Sequence, residues 1–194
     1  MLNKKIIFCA SNKDMVDIWP HPKPASRVIP DEYKKLKRFE NNNFHNPTVK
    51  TCIPFLDSLT MGYIISFDQW QKTTGKNAGK FINKWLIKTP PGYSCLFVKP
   101  MNRIESRFEI IPGVVDTDTF INIINFPFIL HKRNEQFLIK KGEPMVQVIP
   151  FKRESWKMWS GFYFEKAHNK VVSMLRSEWV DRYKKMFWAK KNFK

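Results

Sequence analysis

Cysteine is scarce: Cys9, Cys52 and Cys95 are odd in number, widely spaced and without a CxxC pair. That argues against a disulfide framework or a zinc ribbon and points to a reducing compartment. The histidines are as thin, with His21, His45, His131 and His168 scattered and no two at a metal-ligand spacing. No metal ligand is therefore assigned. Glycine, at 7 of 194 residues, is too rare for flexible linkers, whereas 13 prolines favour rigid turns. No apolar run approaches the ~18 residues of a membrane span. The opening MLNKKIIFCASNKD sets two lysines before Ile6-Ile7-Phe8. Its apolar run is nevertheless short of the roughly 7–15 residues of a signal-peptide core, so export by a signal peptide is not expected. No Gly-x-Ser-x-Gly elbow occurs, and Cys95, mid-strand, reads as inert packing. Gly75 and Gly79-Lys80 are one residue too close for a phosphate loop, and Phe81 replaces its hydroxyl residue, so this stretch reads as a hairpin loop.

Acidic residues are also few, 17 against 34 Lys and Arg, for a net charge of +17. Such an excess either maintains solubility or implies an acidic partner: nucleic acid, an anionic surface or an acidic protein face. Against these shortages stand a hydrophobic fraction of 43 %, 17 Phe and 7 Trp. That composition folds. The length fits one domain with appended arms.

The stretch from Leu86 to Phe151 organises the chain. It contains LIKTPPGYSCLFVKPMNR, FEIIPGVVDTDTF, INIINFPFIL and QFLIKKGEPMVQVIPF. Short runs rich in Val, Ile and Phe are separated by Pro90-Pro91-Gly92, Pro112-Gly113, Pro127 and Lys141-Gly142-Glu143-Pro144, which predicts strands and turns. The spacing predicts a compact, mainly β unit, a sandwich or barrel.

The order of these pieces resembles the dUTPase and dCTP-deaminase superfamily, with its β-clip fold. The matching residues are Pro91-Gly92-Tyr93, Val98-Lys99-Pro100-Met101-Asn102, Gly113-Val114-Val115-Asp116-Thr117-Asp118, Asn125 and Gly142-Glu143-Pro144-Met145-Val146-Gln147-Val148. The resemblance covers about a third of the chain and implies a dUTPase-like β-clip that assembles as a trimer. Met101-Asn102 stand where the family carries its phosphate-holding Arg-Ser, and Thr119 or Phe120 stands for its deoxyribose-stacking tyrosine. The glycine-rich closing arm has no counterpart. Cys52-Ile53-Pro54-Phe55 with Gly62-Tyr63 is also similar to an uncharacterised domain family of marine phages and bacteria, which implies a phage origin. If the chain is an enzyme, the resemblance makes Asp116 the residue that orients or deprotonates water. Asn102 and Gln147 would then contact the nucleotide, and magnesium would hold the phosphates. Otherwise Asp116 and Asp118 fix a tight turn through side-chain hydrogen bonds, and no cofactor is implied.

The flanks complete three expected regions: an N-terminal arm and short helix (1–47), a β-clip core (48–151) and a basic aromatic extension (152–194). Pro20-His21-Pro22-Lys23-Pro24 must be extended. Asp31 and Glu32 with Lys34 and Lys35 begin a helix, and 48–54 reads as a strand. From Glu165, Val171, Val172, Leu175, Trp179, Tyr183, Met186 and Phe187 recur at helical steps, predicting one amphipathic helix of about six turns. Residues 152–194 carry twelve Lys and Arg against four acids. Trp156, Trp159, Trp179, Tyr183, Phe187, Lys184 and Lys185 are the expected partner or assembly surface. The favoured reading is a non-catalytic structural or binding protein of a phage, in the virion or host cytoplasm, self-associating or bound to other phage proteins. A nucleotide-processing enzyme and a nucleic-acid-binding protein are the alternatives.

Overall fold

The computed structural model describes residues 4–69, 71–72, 78–132, 136–162, 164–177 and 180–194. In chain order the strands are β1 (Ile7–Ala10), β2 (Lys23–Pro24), β3 (Tyr63–Ser66), β4 (Gln71–Lys72), β5 (Ala78–Phe81) and β6 (Trp85–Lys88). They continue with β7 (Tyr93–Val98), β8 (Phe108–Ile110), β9 (Gly113–Val115), β10 (Phe126–Leu130), β11 (Leu138–Ile139) and β12 (Pro144–Lys152). The helices are α1 (Asp31–Lys35), α2 (Ile53–Thr60), α3 (Glu165–Arg176) and α4 (Arg182–Met186).

The fold is mainly β. Its largest sheet runs β2-β3-β12-β7-β9, flanked by β5-β10-β8 and the pairs β1-β6 and β11-β4. Every pairing is antiparallel. Strand β12 is central, and Met145 to Ile149 are all buried, the polar Gln147 among them, as on a strand covered on both faces. Strands β2 and β9 remain as edges, so the described residues form no closed barrel. Two of the expected turns hold their glycines as expected: Gly92 (φ +81°) follows Pro90-Pro91 between β6 and β7, and Gly142 (φ +88°) precedes β12. Pro127, expected to mark a turn, instead lies inside β10 opposite Lys80. Both glycines hold left-handed conformations that other residues avoid. The core gathers Phe67, Phe81, Phe97, Phe108 and Phe126 with Trp85, Ile87, Val146 and Val148. Phe81 stacks on Phe128 at 3.9 Å and takes Phe67 edge-on at 4.8 Å. The proline-rich arm becomes the edge strand β2, where the missing proline N–H leaves no ladder bond unmade.

Further local expectations are corrected. Residues 48–54 form no strand: Thr48 Oγ1 accepts from the Lys50 N–H and starts a 3-10 turn at Val49–Thr51, and α2 follows. The C-terminal helix is two helices, because α3 closes where the Ser177 N–H and Oγ both donate to Met174 O. Asp181 then takes a left-handed conformation (φ 59°) ahead of the five-residue α4. The expected hairpin loop is also corrected where it is described: Ala78–Phe81 is strand β5, paired with β10, while β4 pairs with β11. Residues 73–77, Tyr163 and Trp179 lie outside the described residues.

The chain divides into two compact units. The first comprises residues 1–30, 58–153 and 193–194, and the second comprises 31–57 and 154–192. No helix among the described residues is long and apolar enough to cross a membrane.

Candidate functional site

In the first unit β7 lies between β12 and β9, with Ser94 opposite Phe151 and Cys95 opposite Val115. The chain leaving β9 therefore sets Asp116 beside Ser94, whose Oγ donates to Asp116 Oδ1 at 2.6 Å. Asp116 O then accepts from the N–H groups of Thr119 and Phe120, which closes a turn. Thr117 is buried beneath it, its Oγ1 2.8 Å from Thr89 Oγ1. Asp118 points back under the Pro90-Pro91-Gly92 turn and accepts from the Gly92 N–H at 2.8 Å.

Arg153, two residues beyond Phe151, reaches this turn. Its Nη1 and Nη2 donate to the two oxygens of Asp118 at 2.8 and 2.5 Å, a forked pair of charge-assisted bonds. Nη1 also donates to Ser94 Oγ at 3.1 Å and lies 3.3 Å from Asp116 Oδ1. Asp118 is 5 % exposed, whereas Asp116 is 61 % exposed. The hydrogen bonds from Arg153, with help from the Gly92 N–H, hold the Asp118 carboxyl down to about 2. One aspartate is thus fixed as an internal anion and the other faces solvent beside the same guanidinium. Asp116 can accept a proton or polarise water, but the nearest cation is already forked onto Asp118.

The other two nucleotide-contact candidates lie elsewhere. Gln147 sits opposite Val98, four residues along β7 from Ser94, which is about 13 Å of strand. It is 1 % exposed, and all of its polar atoms face inward. Oε1 accepts from the Met101 N–H at 2.8 Å, while Nε2 donates to Ser58 O at 2.9 Å and Met61 O at 2.6 Å. Asn102 holds a left-handed conformation (φ 58°) and donates through Nδ2 to Ser58 Oγ at 2.7 Å. Ser58 therefore joins Asn102 to Gln147, and Asp116 lies on the far side of β7 from both. The fourth polar match, Asn125, leaves its buried Oδ1 without a partner among the described residues.

Sequence reasoning missed Ser94, Ser58 and Arg153. Arg153 counted only as charge in a basic tail, although the register of β12 against β7 is what aims it at Ser94.

The expected assembly residues belong to the second unit. Trp156 and Trp159 are 86 % and 70 % exposed between β12 and α3, with Met158 (93 %), Phe162 (95 %) and Phe164 (75 %). Tyr183, Lys184 and Lys185 are exposed on α4, and Phe187 follows it. The neighbouring Trp188 Nε1 donates to the Asp57 carboxylate, which also takes Lys191 Nζ at 2.7 Å.

No family model matches this chain, and no curated protein matches it. Among solved structures its fold is similar to that of phage dUTPases. A dUTPase of Staphylococcus bacteriophage 80alpha, with dUpNHpp, is 12 % identical over 83 % of this chain and 90 % of its own, with a TM-score of 0.47. A dUTPase of phage phi11 of S. aureus is 9 % identical over 83 % and 99 %, with a TM-score of 0.48. The EIAV dUTPase is 12 % identical over 51 % and 82 %, with a TM-score of 0.41. The likeness is one of fold alone.

Proposed function

We propose that this chain is a non-catalytic structural or binding protein of a phage, a component of the particle that self-associates. The observation that carries the reading is the Arg153 fork on Asp118. It engages the nearest cation and one of the two aspartates in holding a turn, where phosphoryl chemistry needs cations directed at substrate. Gln147 and Asn102 serve the same internal purpose.

Self-association is supported by the segment 154–164. Its four exposed Trp and Phe side chains present on the order of 500–800 Å² of apolar surface. That sum approaches the roughly 800 Å² per partner of a standard interface. A second copy offers a matching apolar set in Val114, Phe120, Ile121 and Ile123, each more than a third exposed. By resemblance the assembly is a trimer.

Light scattering of the purified chain should give an oligomer, and Trp156→Ala with Trp159→Ala should shift it to monomer. A wild-type monomer absent from purified particles sinks the reading. The solvent-facing carboxylate of Asp116 favours one other reading, nucleotide hydrolysis or deamination. Incubation with a panel of deoxynucleoside triphosphates and magnesium should release neither pyrophosphate nor ammonia. Turnover that disappears in Asp116→Asn would establish the enzyme instead.

A further inference from the structure

In the second unit, residues 38–48 close on themselves. Phe39 bridges Pro47, the Glu40 N–H donates to Asn46 O at 2.9 Å, and the Thr48 N–H donates to Arg38 O at 2.9 Å. The reversal between them is made by Asn41 and Asn42, both left-handed (φ 49° and 58°), a conformation that asparagine tolerates better than most residues. The result displays Phe44, 56 % exposed, with its ring 3.9 Å from the imidazole of His45.

A groove of about 510 Å³ runs from this loop to the start of α4. That volume lies within the few hundred to a thousand Å³ of ordinary ligand sites. Phe39, Phe44 and Tyr183 supply ring surface, and Arg182 and Lys184 supply charge. The groove also contains one carboxylate, Asp181, which pairs with Arg38. Arg182 and Lys184 line the groove beside its rings, and neither meets a carboxylate among the described residues.

We propose that this groove binds single-stranded nucleic acid, with bases stacking on Phe44 and Tyr183 and phosphates meeting Arg182 and Lys184. Rings beside a cationic track are what sequence-tolerant binding of single strands requires, since every base has a stacking face. Charge complementarity calls for a polyanion, since an apolar peptide would leave both cations unpaired. The rings of Phe44 and Tyr183 favour nucleic acid over an acidic peptide, because bases, unlike carboxylate side chains, offer flat faces to stack. The site goes beyond the self-association reading: it takes Tyr183 and Lys184 from the expected assembly surface but shares neither Trp156 nor Trp159 with the segment that carries that reading.

Fluorescence anisotropy of a labelled 12-nucleotide oligo-dT on the full chain tests the site, with oligo-rU run in parallel. The wild type should bind with Kd of about 1–100 µM near physiological salt. Phe44→Ala should weaken binding roughly 5- to 100-fold, while Phe44→Trp retains it. Arg182→Ala with Lys184→Ala should flatten the log Kd against log salt slope by about 1.4, at roughly 0.7 per phosphate contact. Lys80→Ala with Lys88→Ala removes the same charge from the first unit and should leave that slope and the affinity nearly unchanged. Thermal melts of each variant separate lost binding from lost folding. Absence of wild-type binding, equal losses in the two double variants, or full affinity in folded Phe44→Ala overturns the proposal. Light scattering of Phe44→Ala keeps the two readings apart, because it should remain an oligomer.

Discussion

Replacing Gln147 by methionine separates a structural role from a ligand-binding one. The two side chains are similar in volume, so the substitution removes three hydrogen bonds and opens little cavity. Each bond is worth about 1 kcal/mol net, and more where the abandoned partner stays buried. Met101, Ser58 and Met61 are only half-buried, so water can recover part of the loss. The expected destabilisation is therefore about 2–4 kcal/mol. At about 2–4 °C per kcal/mol for a chain of this size, the melting temperature should fall by roughly 5–15 °C. Thermal unfolding followed by circular dichroism, with a urea titration alongside, provides the measurement. A residue held ready for a nucleotide behaves in the opposite way, because its removal leaves stability unchanged or improved. A Gln147→Met protein that melts within about 2 °C of wild type would refute the internal role described above.

Burial pushes the Cys95 thiol up to about 11, so a thiol reagent at pH 8 should titrate the exposed Cys9 and Cys52 quickly and Cys95 only after unfolding. Three fast thiols in the native state would contradict the packing of β7. A Cβ at Gly62 (φ +71°) would lie 2.1 Å from Val148 O, a backbone atom that cannot swing away. Gly62→Ala should therefore melt many degrees lower or fail to fold, and wild-type stability would disprove the close approach of β3 and β12. Asp118 is held below its ordinary 3.8, at about 2, so its contribution is complete above about pH 4 and is lost as pH falls through 2. Arg153→Gln should abolish that part of the acid limb in urea titrations between pH 4 and 2, and an unaltered limb would show that the fork does not form in solution.

What was legible in the sequence is what periodicity and turn chemistry dictate. Pro90-Pro91-Gly92 and Lys141-Gly142 marked real turns because the glycines need left-handed backbone there, and the Val, Ile and Phe runs between them became β6 to β12. The β-rich architecture followed. The helical period after Glu165 was also real, but period alone cannot see a break made by side chains. Ser177 and Asp181 stop the helix through their own local geometry. The strand expected at 48–54 failed for the same kind of reason, since Thr48 caps a turn instead of pairing. At the site, Asp116 and Asp118 were legible as turn-fixing carboxylates. Arg153 was not, because its role depends on a register between strands more than fifty residues apart in sequence.

The first unit satisfies its fully buried polar side chains internally, and the second leaves its largest rings in water. In the first, Asn83, Thr89, Ser94, Thr117 and Gln147 are buried, and each is hydrogen-bonded within the chain. Buried groups already satisfied offer a ligand little, since any new contact must first break an existing one. In the second unit, Trp156, Met158, Trp159 and Phe162 remain in water. At about 25 cal/mol per Å², covering the roughly 500–800 Å² of ring surface in 154–164 is worth on the order of 12–20 kcal/mol. Association costs about 4–15 kcal/mol in lost freedom, so that surface is enough to hold a partner only if most of it is covered at once. A single aromatic anchor would not suffice. The physical case for binding therefore rests on the segment acting as a unit, and truncating two tryptophans should release the partner rather than weaken it by degrees.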